Sequence, residues 1–395
     1  MNKLGPFKIR FMPEKITYLY LDDNDKVTRD GDVELFNTIS KDVEIKTDYP
    51  SSWKQRSKSI FTDLNHYDGI IIDWELTNQS QAAKEGSHEA EDVDFSAESL
   101  AEHLRVNAAK KNVKDIPIII CSADKNKAFS NLKNRELTRR DIFDLTYIKN
   151  DLFVKHVSES ERQLFNLAIV YKLLQQSAFD VKAALDLSAD ELDFLDIRFL
   201  DTLEKISTTN TTHDLVYFLL QEFLLPEGLL INEQIVAARL GVDIEKSGDS
   251  WNKIKEVLVE EQICYKGLLS IGWSTYWSFK LVKWWNAISD KDLRTTSAST
   301  RVQVLNEKYG TTLIPAEKIK FCSSDEFWTV CKGTRRPLDP INGFIIGDYT
   351  SNPWLEVEYV SAYAELEKED PNAWRISAIE RVRFEKFKSK IVKND

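Results

Sequence analysis

The sequence predicts an α/β domain built on a doubly wound, five-stranded parallel sheet, followed by a helical connector and an α+β C-terminal module. Three observations lead there. Short apolar runs rich in β-branched residues recur through the first 150 residues. Segments of helical character lie between them, which is the alternation of a parallel sheet. Several of the runs stop abruptly at carboxylate, hydroxyl or ammonium side chains, at the strand ends where open parallel sheets carry their chemistry.

The run Ile70, Ile71 and Ile72 within YDGIIIDW ends in Asp73. It reads as a strand buried on both faces. Upstream, Ile16 to Leu21 (ITYLYL) ends in Asp22 and Asp23. Downstream, Ile116 to Cys121 (IPIIIC) ends in Ser122 and Ala123, and Leu145 to Ile148 (LTYI) ends in Lys149. A weaker run, Val43 to Lys46 with Thr47, lies between the first two. Between the strands, Val33 to Ile39 reads as a short amphipathic helix after a turn-like Asn24 to Asp32. A second helix runs from a Ser51 or Ser52 cap through Leu64, and a third from Ser96 to Asn112.

Gathered at one sheet edge, these tips present three carboxylates, a hydroxyl and an ammonium. Three carboxylates repel one another unless a cation sits among them, and Mg²⁺ prefers such hard oxygen ligands. Asp73 is placed to act as a nucleophile toward phosphorus, forming an acyl phosphate, with metal neutralising the transferring group. Lys149 would pair with one phosphate oxygen and Ser122 would donate to another.

The set Asp22-Asp23, Asp73, Ser122-Ala123 and Lys149, in that order at the ends of successive strands, resembles the receiver domain of bacterial response regulators. The resemblance covers about the first 155 residues, one domain's length. It implies that Asp73 accepts a phosphoryl group from a histidine kinase. It implies also that Asp22, Asp23 and Asp73 hold Mg²⁺, and that Ser122 and Lys149 sense the phosphate. The sequence departs from the family at several points. Asn150 stands where Pro usually follows the Lys, and Tyr147 precedes the Lys by two residues instead of three. No Pro follows Asp73 closely, and the interval from Asp73 to Ser122 is long. These departures still allow the phosphate chemistry and fall on the parts that carry the family's usual output switch.

The chain has 395 residues, net charge −11, 42% hydrophobic and 30% charged residues, a soluble globular composition with room for two or three domains. No apolar run is long enough for a membrane helix or a secretory signal, so a cytoplasmic location is expected. The acidic balance argues against a generic electrostatic grip on nucleic acid. Cys121, Cys264, Cys322 and Cys331 lack the spacing of a zinc site.

Beyond the strands, Thr77 to Asp94 reads as an exposed acidic insertion carrying His88, either a surface loop or a lid or partner-docking loop. Asp124 to Asp144 reads as a helical stretch with a basic cluster of Arg135, Arg139 and Arg140. Residues 156–230 look all-helical. Asp151 to Gln176 is one long helix, Ser188 to Glu191 forms a capping box ahead of a helix to Lys205, and His213 to Leu225 is another. This connector suits a dimerisation bundle or packing between domains. Residues 231–395 hold eight of the chain's ten tryptophans, all after residue 250. Asn232 to Val242 resembles part of a helix-turn-helix, with Ser250 to Val259 as the next helix and a wing from Ile263–Tyr265 and Leu268–Ile271. Asp243 to Asp249 interrupts its turn.

Trp273 to Trp285 reads first as core, then as an interface, then as a base-stacking surface. The Thr334 to Pro340 loop, with Arg335 and Arg336, is either an anion site or ordinary surface. Phe344 to Asp348 and Leu355 to Val360 read as strands, and Ala373 to Lys388 as a terminal helix. No enzyme motif is visible after residue 155. The leading expectation is therefore a signal receiver, not a separate enzyme, that controls an effector protein through its C-terminal module. The alternatives are a DNA-binding regulator using residues 232–269 and a receiver-like docking scaffold without phosphorylation.

Overall fold

The computed structural model describes residues 15–76, 93–123, 140–176, 180–209, 211–347 and 352–391. The chain divides into two compact units. The first comprises Met1–Leu187, Leu200–Leu220 and Lys266–Trp273; the second comprises Ser188–Phe199, Gln221–Tyr265 and Ser274–Asp395.

The first unit is the predicted α/β sheet. Its strands are β1 (Ile16–Leu21), β2 (Val43–Asp48), β3 (Gly69–Asp73), β4 (Ile118–Ser122) and β5 (Leu145–Ile148). They lie in the order β2-β1-β3-β4-β5, all parallel. This is the flavodoxin-like order, whose strand direction of winding reverses between β1 and β3. Strand alternation divides the core. Leu19, Leu21, Ile70, Ile72, Ile118 and Ile120 face the helices Trp53–Asp63 and Ala97–Ala109. On the opposite face the Tyr20 ring packs against Phe153 at 5.3 Å, and the Tyr18 hydroxyl donates to Leu164 O at 2.8 Å. Gly69, paired with Tyr18 across β1 and β3, has to be glycine, since a Cβ there would lie 2.2 Å from the Tyr18 ring.

Several helix limits differ from the sequence reading. The first helix spans Lys26–Ile39, taking in much of the stretch read as a turn. Asp25 caps it by accepting from Thr28 N, and buried Arg29 reaches back to Asn24 O. These local bonds outweigh the cost of Gly31 in the helix, about 1 kcal/mol. The long helix expected over Asp151–Gln176 begins as a single π turn, Asp151–Lys155, and resumes as Val157–Leu174. That helix covers the sheet, so the sequence boundary at 155 falls inside the first unit. The Ser188/Glu191 capping box is present, but its helix stops at Leu192 and a second runs from Ile197 to Thr209.

The second unit is built around tryptophan. Trp251, Trp277 and Trp285 are fully buried with Ile235, Val236, Leu240 and Leu281. The core reading of the aromatic stretch therefore stands for Trp277, Trp284 and Trp285, while the helix itself starts only at Ser278. The helix-turn-helix resemblance is not carried through. A four-residue helix, Ile244–Ser247, intervenes between Glu233–Leu240 and Asp249–Glu260. The glycine that ends the first helix, Gly241 at φ +73°, lies against Ala298 of the Ala298–Tyr309 helix. The expected wing does not form either. Cys264 pairs with Tyr276, and residues 268–271 belong to the first unit. The two late strands form as Gly343–Ile345 and Tyr359–Ser361, antiparallel, and the last helix is Arg381–Ile391.

The Thr77–Asp94 insertion with His88 and the basic cluster at Arg135 and Arg139 fall mostly or wholly outside the described residues.

Candidate functional site

The carboxyl ends of β1 and β3, on either side of the switch in strand order, bring Asp22, Asp23 and Asp73 together. β5 adds Lys149 and β4 adds Ser122 at the same edge. Parallel pairing in register accounts for this. Leu21 lies opposite Ile72, Asp73 opposite Cys121, and Ser122 opposite Ile148, so each chain leaves the sheet at nearly one level. Asp22, Asp23, Asp73 and Ser122 are all buried, and Lys149 is nearly so.

The pocket is unevenly balanced. Lys149 Nζ lies 2.6 Å from Asp22 Oδ2 and 3.2 Å from Asp73 Oδ2. The Tyr20 hydroxyl donates to the same Asp22 Oδ2, and Asn24 N donates to Asp22 Oδ1 at 2.8 Å. Burial disfavours the Asp22 charge, yet Lys149 and these hydrogen bonds hold its carboxyl below the ordinary value. Asp23 has no such support. Burial, with Asp22 and Asp73 beside it, pushes its carboxyl up to about 7. Burial raises Asp73 to about 6 against the pull of Lys149. Burial works against the Lys149 charge too, but the carboxylates of Asp73 and Asp22 keep the ammonium above its usual value.

One oxygen from each of Asp22, Asp23 and Asp73 lies within 4.8 Å of the others. Asp23 Oδ2 is buried without a hydrogen-bond partner. A buried carboxylate oxygen facing two further carboxylates is the donor chemistry that suits a small, hard divalent cation. The three residues therefore fit such an ion, with Asp23 the most available and Asp22 the most committed elsewhere.

Tyr20 was not singled out by the sequence reading. Its signal was there: it stands two residues before Asp22 on a strand, hence on the same side of the chain. A second buried polar group also went unnoticed, at the other end of β5. Asp144 accepts from Arg105 Nη2 at 2.8 Å and from the Tyr171 hydroxyl at 2.7 Å, with His213 Nδ1 3.1 Å away. Burial opposes its charge, but Arg105 and His213 bring the carboxyl down to about 2. Nothing in sequence distinguishes such an Asp from a turn residue ahead of a strand. In the second unit, Arg335 donates to Gln234 Oε1 at 3.0 Å and Arg336 to Glu317 O at 3.2 Å.

No family model matches the chain, and no curated protein matches it. Among solved structures it is similar to a Salmonella typhimurium RcsB response regulator studied for conformational dynamism in DNA interaction. Identity is 13%, the match covers 52% of this chain and 98% of that one, and the TM-score is 0.23. A likeness at that score says nothing about function; the flavodoxin-like assignment stands on the strand order itself. No helix among the described residues is long and apolar enough to cross a membrane.

Proposed function

We propose that this protein is a phosphorylation-dependent signal receiver, with Asp73 as the phosphoryl acceptor. The observation that supports this best is the meeting of Asp22, Asp23, Asp73 and Lys149 at one strand edge. An ionised Asp73 oxygen attacks phosphorus of a phosphohistidine on a histidine kinase. The new O–P bond forms as the donor's P–N bond breaks, and the leaving imidazole takes a proton from solvent. Asp22, Asp23 and Asp73 would hold Mg²⁺, which would neutralise charge on the phosphoryl oxygens. Lys149 exchanges its contact with the Asp73 carboxylate for one with the phosphoryl group, and Ser122 donates to another of its oxygens. The partner controlled through the second unit is an effector protein.

The test is intact-protein mass spectrometry after incubation with acetyl phosphate and Mg²⁺. The expected result is the mass of one phosphoryl group on the wild type and none on Asp73→Asn. A wild type that gains nothing, or an increment that survives Asp73→Asn, would sink the reading.

A second reading is a receiver-like docking scaffold that is never phosphorylated. It is favoured by Asp22, whose oxygens are already taken by Lys149, Tyr20 and Asn24. The same mass measurement separates the two. DNA binding through residues 232–269 draws little support, since neither the helix spacing nor a wing is in place.

A further inference from the structure

An open groove of about 290 Å³ lies in the second unit beside the last helix, Arg381–Ile391. Phe321, Ile341, Phe344 and Phe387 give it an apolar lining, and Lys386 and Lys390 stand on its rim. Three features set it apart from ordinary surface.

The first is exposed apolar area where burial would be expected. Ile341 is 68% exposed and Phe321 39% exposed, although both border a hydrophobic hollow. Contiguous apolar surface of this kind, framed by polar residues, marks an interaction site more often than isolated exposed residues do. The second is backbone strain. Phe321 sits at φ +71°, a left-handed conformation that an aromatic residue rarely adopts. Here the strained residue is one whose ring lines the groove, tilted against Tyr363 and edge-on to Phe387.

The third is charge. The helix RVRFEKFKSKI carries five basic residues and one acidic residue, in a chain whose net charge is −11. Arg383 is spent internally on Glu380 and the Phe344 ring. Lys386 and Lys390 are exposed and have no ion pair among the described residues. Lys320 adds a further cation 4.9 Å above the Phe321 ring.

We propose that this groove docks an acidic peptide segment of a partner protein, with an aliphatic or aromatic side chain seated in the hollow and carboxylates on the lysine rim. The volume suits one or two side chains and falls just short of the range of about 300–1,000 Å³ usual for small-molecule sites. The exposed Ile341 and Phe321 offer an aliphatic and an aromatic surface, better matched to a Leu or Phe anchor than to a run of stacked bases, which would need alternating exposed rings. Such docking does not depend on the chemistry proposed for Asp73.

The experiment is fluorescence anisotropy on the full chain with a labelled peptide of about twelve residues, mixing Asp and Glu with Leu and Phe. An oligothymidine of similar length is the second probe. Micromolar peptide binding is expected, weakening with added salt. Lys386→Glu combined with Lys390→Glu should loosen it about tenfold or more, as should Ile341→Asp. These side chains are exposed, and unchanged thermal melting of the variants will show that the fold is kept. The proposal is overturned if the peptide does not bind, if the variants bind it as well as the wild type, or if oligothymidine binds at least as tightly. The last result would make the surface a nucleic-acid site.

Discussion

Lys149 grips Asp22 more closely than Asp73, at 2.6 against 3.2 Å, across 127 residues of sequence. The ammonium thus compensates the deepest carboxylate and leaves Asp23, with an unpartnered buried oxygen, as the charge the pocket does not balance. The behaviour of the site should follow from that imbalance.

Removing the ammonium strands Asp22, which has no exposed surface. Breaking a buried pair by deleting one partner costs about 3–5 kcal/mol. Lys149→Ala should lose stability on that scale in urea denaturation, and Lys149→Ala combined with Asp22→Asn should recover most of it.

Asp23 and Asp73 have folded values of about 7 and about 6, above the ordinary carboxylate value of 3.8. A carboxyl whose folded value is raised favours the folded state at low pH and gives up that contribution as pH rises through the folded value. Without divalent cations the melting temperature should therefore fall between about pH 4 and 7. Mg²⁺ should restore it at pH 7.5. Asp23→Asn should flatten the pH dependence and remove most of the Mg²⁺ response, read by scanning calorimetry.

At the opposite end of β5, Arg105 ties buried Asp144 to Asp115. Arg105→Met keeps the packing of the stem but leaves Asp144 without its main counterion, and should cost about 3 kcal/mol or more. A loss under about 1 kcal/mol in chemical denaturation would show that Tyr171 and His213 suffice for it.

Gly241 combines a left-handed φ with a Cβ position 2.6 Å from Ala298 Cα. Gly241→Val should destabilise the second unit by well over 2 kcal/mol through strain and clash together. Gly31→Ala, in open space within a helix, should stabilise by about 0.5–1 kcal/mol.

Asn166 Oδ1 accepts from both Ile271 N and Gly272 N, holding residues 266–273 within the first unit. Asn166→Leu removes both acceptor contacts. Limited trypsinolysis should then cut after Lys266 several times faster, with the melting temperature nearly unchanged if the release is local.

Much of this site was legible in the sequence because strand signals are local. A β-branched run followed by Asp22-Asp23, Asp73 or Lys149 declares both the strand and the level at which it ends, and parallel pairing in register then lines the ends up. Helix limits were less legible where a side-chain cap such as Asp25 decided them. The helix-turn-helix resemblance misled because the Ala-rich helix and its glycine meet Ala298, a partner far away in sequence.

The sequence by itself determined the parallel sheet, its acidic edge and the tryptophan-filled second core, since these depend on periodicity and on which residues shun water. Only the tertiary structure decided that Lys149 turns to Asp22, that Tyr20 joins them, that Asp144 is clamped below, and that residues 266–273 belong with the first unit. Those choices are settled by long-range approach of charged and polar atoms in the interior, where leaving a buried group unpartnered is costly and the nearest partner need not be near in the chain.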